Sequence, residues 1–166
     1  INKDWRLLPY QETIWAGTNS WRRHRRLQVS QNLTLPPDKP SLVGGTTICC
    51  MDEVVFRISQ QSNDPRRLGR WSTVTFTGKN QLTTTLITAY CPVKGTLPGS
   101  VYSQHLIYMS SNSEHIPLNI SFPRQLFWYD LSELLNDLIS KGHQILLAGD
   151  FNSCLLYTSD AADDAN

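Results

Sequence analysis

The sequence predicts a mixed α/β fold, on three observations. Leu126, Phe127, Leu131, Leu134, Leu135, Leu138 and Ile139 recur at helical spacing between Pro123 and Gly142. Directly after them Ile145-Leu146-Leu147-Ala148 runs apolar without a polar break and stops at Gly149-Asp150-Phe151-Asn152. Upstream, two β-branched runs at 70–77 and 82–90 are separated only by Gly78-Lys79-Asn80-Gln81, which predicts an antiparallel hairpin.

Over the first thirty residues, Trp5, Leu7, Leu8, Trp15, Trp21 and Leu27 are spaced for helical or irregular structure rather than strict alternation. Short helices are expected around 10–16 and 19–28, with Pro9 at a boundary. Pro36, Pro37 and Pro40 make 31–43 a loop. Gly44-Gly45 then opens a strand, Thr46-Thr47-Ile48-Cys49-Cys50, in which the two adjacent cysteines point to opposite faces. Val54 to Ile58 reads as a second short strand and Gln60 to Gly69 as a polar loop. In the hairpin, Trp71, Val74 and Phe76 do not alternate, which leaves the register of that strand open. Beyond Cys91-Pro92 come a loop marked by Gly95, Pro98 and Gly99, a helix from 100 to 110, and a polar connection from Ser111 to Phe122. Pro123 suits a first helical turn and Gly142 the position just past a helix end. An unbroken apolar strand such as 145–148 is expected to be buried on both faces.

Composition narrows the function classes. With 40% hydrophobic residues, five Trp, six Tyr and five Phe, the chain has the material for a packed core, which excludes a disordered chain. No apolar run reaches the ~20 residues of a membrane-spanning helix, so no membrane partner is expected. The start, Ile-Asn-Lys-Asp-Trp, is not a secretory signal and has no initiator Met, so the chain is expected to begin inside a longer protein. Cys49, Cys50, Cys91 and Cys154 show no C-x-x-C spacing, which suggests neither a zinc site nor a disulfide framework. A reducing, intracellular setting rather than secretion follows as the expectation. His24, His105, His115 and His143 lack metal-ligand spacing and read as surface residues. No internal repeat is visible.

From Cys154 the chain changes character abruptly: Cys-Leu-Leu-Tyr-Thr-Ser-Asp-Ala-Ala-Asp-Asp-Ala-Asn. That string looks like the translation of an adapter used in sequencing libraries, so 154–166 is expected to be non-native and 1–153 to be the body. Removing it takes away Asp160, Asp163 and Asp164 and no Lys or Arg, so the formal charge rises from +1 to +4.

Helix, apolar strand and Gly149-Asp150-Phe151-Asn152 come in order after Gly44-Gly45, Gly69-Arg70-Trp71, Ile87-Thr88-Ala89-Tyr90-Cys91-Pro92 and Pro123-Arg124-Gln125. That ordered set resembles the endonuclease/exonuclease/phosphatase (DNase I-like) superfamily, especially its retroelement-type endonuclease domains. The resemblance implies part of a four-layer α/β sandwich, two packed mixed sheets flanked by helices, truncated at both ends. It also implies a Mg²⁺-dependent phosphodiester hydrolase (with Mn²⁺ as the alternative) acting on DNA, in an intracellular compartment with the nucleus as the narrower expectation, fused in the full protein to a reverse transcriptase. Position by position, Tyr90 matches the tyrosine that touches the scissile phosphate. Asp150 matches the aspartate that orients or deprotonates the attacking water, and Asn152 its companion. Arg124 matches more loosely a basic residue near the phosphate.

Other family positions find no secure match. Gln11-Glu12-Thr13 resembles the string that carries the metal-binding glutamate, but it follows Leu8-Pro9-Tyr10 rather than a buried strand. That glutamate is therefore expected upstream of Ile1 and the Asp-His pair downstream, leaving this piece without a metal site, inactive, and marginal in stability through exposed strand edges. Arg22, Arg23, Arg25 and Arg26 either track a nucleic-acid backbone or form the solvated face of a helix. Tyr90 packing at a strand end and Asp150 capping a turn are the plain structural roles beside the catalytic ones. Two alternatives of function stand: a phosphatase or phosphodiesterase on lipid or small-molecule phosphates, and a degenerate module that only binds nucleic acid.

Overall fold

The computed structural model describes residues 25–31, 44–95 and 97–153. The expected helix at 10–16, residues 32–43 of the loop expected at 31–43, Glu12, Arg22, Arg23, His24 and the segment 154–166 lie outside them. In chain order the elements are β1 (Arg25–Gln31), β2 (Gly45–Met51), β3 (Ile58–Asn63), β4 (Trp71–Thr77), β5 (Thr83–Tyr90), α1 (Val101–Ser111), α2 (Pro123–Ser140) and β6 (Gln144–Asp150). β1 and β2 form an antiparallel pair, and a four-stranded mixed sheet runs β3-β4-β5-β6 with only β5–β6 parallel. Among the described residues no helix is long and apolar enough to cross a membrane.

The period of two in each strand gives the mixed sheet two different faces. One face presents Trp71, Ile87 and Ala89, and α2 covers it with Phe127, Leu131 and Leu138. On the other face Val74, flanked by Phe76 and Leu86, meets Ile48 and Cys50 of β2. The two sheets also share hydrogen bonds: Thr46 Oγ1 and Ser72 Oγ are 2.9 Å apart, and Ser72 Oγ donates to the Thr46 carbonyl at 3.0 Å. Small hydroxyl side chains let the backbones approach closely there. The layers are thus helix, four-stranded sheet and two-stranded sheet.

β4 and β5 match the expected hairpin in full register, from Trp71↔Ala89 to Thr77↔Thr83. Trp71 to Thr75 are all buried, which explains why the apolar residues of β4 do not alternate: both faces are covered. α2 also fits its expected ends. The Gln125 side-chain oxygen accepts the N–H groups of Ser121 and Phe122 at 2.9 and 3.2 Å, occupying donors ahead of the first turn. At the other end Gly142, at φ 75°, lets its own N–H reach Ile139 O and that of His143 reach Leu138 O.

Four expectations about the strands need correction. Residues 25–31 are a strand, not the end of a helix at 19–28: backbone pairing of Arg25 with Met51 through Gln31 with Gly45 overrides the local spacing. Residues 54–57 are not a strand either, and Ile58 instead opens β3. Asp52 turns left-handed (φ 58°) and Asp52–Arg57 coils into a 3-10 segment. The polar stretch after it, expected as a loop, supplies β3, an edge strand whose pairing with β4 needs no apolar pattern. Finally β6 is not buried on both faces. Ile145 and Leu147 pack toward α2, but Leu146 is 60% exposed, because the two-stranded layer does not extend over it.

A buried ionic group ties the start of β4 to α2. Asp64 accepts the backbone N–H groups of Arg66, Leu68 and Arg70, and both of its oxygens accept from the Arg70 guanidinium at 2.7 Å. Arg70, 1% exposed, also pairs with Asp130 of α2 at 2.8 Å and lies over the Trp71 ring. Arg66 completes the set through two hydrogen bonds to Asp130, at 2.7 and 3.0 Å. Two acids and two bases leave the group neutral, as a low-dielectric site demands. Burial would raise the Asp64 carboxyl, but the Arg70 bonds and charge and the backbone donors hold it below its ordinary range.

His105 was expected at the surface and is buried instead, because α1 packs its ring against the Leu68–Arg70 turn, with Nε2 3.3 Å from Leu68 O. Burial first, then the Arg70 charge, push its pKa down to about 4, against the opposing Leu68 carbonyl and Asp64. A folded-state pKa below the ordinary 6.5 means the unfolded chain binds the proton more readily. Stability from this group is complete above pH 6.5 and is lost as pH falls toward 4. A loss of up to about 3 kcal/mol over that window is expected in urea titrations. His105→Gln should flatten that part of the profile; an unchanged slope in the variant would remove His105 as its source.

Candidate active site

β5 and β6 are parallel and joined by a crossover through α1 and α2, so their carboxyl ends open on the same edge of the sheet. The last pair in register is Tyr90 with Asp150. Neighbouring strands lie about 4.8 Å apart, so the two side chains leave the sheet side by side on one face. The ladder closes with the Cys91 N–H donating to Asp150 O at 2.8 Å. Gly149 makes that closeness possible: a Cβ there would overlap the Ala89 carbonyl oxygen.

The spacing Asp-x-Asn has a local cause. Asn152 adopts φ 48°, a conformation asparagine tolerates, and this turns its N–H onto Asp150 Oδ1 at 2.9 Å. Its side-chain amide donates across to Cys91 O at 2.7 Å, fastening the loop after β6 to the loop after β5. Asp150 therefore does cap a turn with one oxygen; its other oxygen takes no hydrogen bond from the described residues. Arg124, in the first turn of α2, fastens the same two loops. It donates to Pro92 O (3.1 Å), Phe151 O (3.3 Å), Asn152 O (3.2 Å) and Ser153 Oγ (2.7 Å). All these acceptors are neutral, so its positive charge stays at the edge without a carboxylate partner among the described residues.

Tyr90 is half-buried. Burial chiefly, and then the Asp150 charge, raise its pKa, against a backbone hydrogen bond from Val93, so the phenol keeps its proton at neutral pH and can donate. Burial likewise pushes the Cys91 thiol up to about 11, and it packs in the core as a small apolar group. Cys49 is exposed and Cys50 buried, on opposite faces of β2 as expected.

The structure thus brings Tyr90, Asp150, Asn152 and Arg124 to one place. Arg25 and Arg26 lie on β1, in the other sheet, opposite Met51 and Cys50. Arg66 and Arg70 are taken up by the buried ionic group. A Mg²⁺ site takes one or two carboxylates plus water and substrate oxygens. Asp150 offers one carboxylate with one open oxygen, and among the described residues no three His, Cys, Asp or Glu converge.

Sequence reasoning missed an aromatic pair at this edge. Trp128 of α2 stacks on Phe151 with centroids 5.6 Å apart and planes at 21°, while Phe127 makes a T-shaped contact with Trp128 at 5.1 Å. The signal was there: Trp128 lies four positions after Arg124, on the same helix face. No family model, curated protein or solved structure matches this chain.

Proposed function

We propose that the chain carries the carboxyl-edge half of a phosphodiester hydrolase site acting on DNA, of the retroelement endonuclease kind that its motifs resemble. The observation that supports it is the pairing of Tyr90 with Asp150 at the ends of two parallel strands, with Asn152 and Arg124 locking the loops beyond. Hydrolysis needs a base for the attacking water, donors for the charge developing on the phosphoryl oxygens, and a rigid frame. The open oxygen of Asp150 takes the water proton. The Tyr90 phenol, protonated at neutral pH, donates to a phosphoryl oxygen. Asn152 fixes the Asp150 rotamer through its N–H, and Arg124 adds positive charge while holding both loops. Mg²⁺, held with a further carboxylate, would neutralise phosphoryl charge.

The test is nicking of supercoiled plasmid by the protein, with Mg²⁺ and with EDTA. Asp150→Ala is expected to lower the rate by about 10²–10⁴-fold, the usual contribution of a positioned base. Tyr90→Phe is expected to lower it by roughly 10²-fold, the loss of one donor. Nicking that survives Asp150→Ala would overturn the proposal. Hydrolysis of small phosphate esters but not plasmid would move the function to a phosphatase on the same frame.

A further inference from the structure

Trp128 is set in place by its neighbours yet left open. Phe151 stacks on Trp128 and Phe127 lies against it in a T-shaped contact, and Trp128 remains 43% exposed. Phe151 follows Asp150 directly and packs on the α2 side of the sheet edge, so the stack lies beside the strip that holds the proposed base. One turn earlier on the same helix face, Arg124 supplies positive charge that no carboxylate among the described residues neutralises. An aromatic plane beside an uncompensated cation suits a planar group linked to a phosphate.

Resting on the hydrolase proposal, we infer that Trp128 is a stacking subsite for an unpaired nucleobase next to the scissile phosphate. The base continues the Phe151–Trp128 stack, and Arg124 draws the adjoining phosphate toward the sheet edge. Stacking on an aromatic side chain is tolerant of base identity, because every base has a π-face. The substrate favoured is therefore DNA with an unstacked or single-stranded nucleotide at the cut, without a sequence requirement at that position.

Binding without cleavage tests it, on the chain as it stands and in EDTA, so that the outcome does not depend on catalysis. Fluorescence anisotropy compares an end-labelled oligothymidylate with a base-free deoxyribose-phosphate chain of equal length. The expected result is about tenfold tighter binding of the oligothymidylate, the scale of one stacked base. Trp128→Ala should erase that preference and leave the base-free affinity unchanged, while Trp128→Phe should keep most of it. Equal binding of both probes by the unaltered chain, no binding of either, or a preference that survives Trp128→Ala overturns the inference. Base-dependent binding through Trp128 in a protein that never nicks plasmid would instead sink the hydrolase proposal and leave the subsite standing.

Discussion

Replacing Arg70 with methionine is expected to destabilise the chain by about 3–5 kcal/mol, because it strands a buried charge while keeping the length of the side chain. Asp64 would keep its three backbone donors but lose the guanidinium that binds both of its oxygens. Asp130 would keep Arg66, so the injury centres on Asp64. Arg67→Met is the matched control: Arg67 is exposed in the same turn, and its loss should stay within about 0.5 kcal/mol. Equal urea midpoints for the two variants would mean that the ionic group does not form. Acid supplies an independent check. The Asp64 carboxyl is lowered below its ordinary 3.8 in the folded chain, so its contribution is present above that pH and is lost as pH falls further. That window lies below the one assigned to His105, and the two should separate in a pH series.

Gly149→Ala should be as damaging for a different reason. Here the obstacle is backbone, since a Cβ would overlap the Ala89 carbonyl oxygen and lie 2.8 Å from its carbon. Relief requires β6 to move away from β5, breaking the ladder that pairs Tyr90 with Asp150. Overpacking commonly costs about 1–3 kcal/mol, and an immovable neighbour places this case at or above the upper end. Gly99→Ala isolates the steric part. Gly99 has φ +84° but nothing within 4 Å of a new Cβ, so only conformational strain of about 1 kcal/mol is expected. Similar losses at the two glycines, by thermal melting, would show that close approach at Gly149 is not what makes it necessary.

Legibility in the sequence followed how local the determining force was. α2 could be read with its ends because its apolar stripe, Pro123 and Gly142 all act within a turn or two. The β4–β5 hairpin was legible for the same reason. β3 was not: Ile58–Asn63 has almost no apolar signal and becomes a strand only because β4 offers its edge. The Val54-Val55-Phe56 run misled in the other direction, since β-branched residues were overruled by the reversal at Asp52. β6 had the composition of a central strand yet is the last strand of its sheet among the described residues. At the site, motif order pointed to Tyr90, Asp150, Asn152 and Arg124. The stacking of Trp128 on Phe151 and the burial of His105 depend on how α1 and α2 are laid against the sheet, which no single segment encodes.

The bond from Asn152 to Cys91 joins residues 61 positions apart, and the Tyr90–Asp150 pair closes nearly the same loop. Such long closures are entropically late in folding, because both helices must be docked before the contact is rewarded. The four site residues therefore act as a gauge of tertiary completeness. A chain with its hairpin and helices formed but β6 undocked has the secondary structure of this fold and no site at all. Loss of binding or activity in a variant far from the edge, such as one at Asp130, would then signal partial opening of the crossover rather than any change in the chemistry of Asp150.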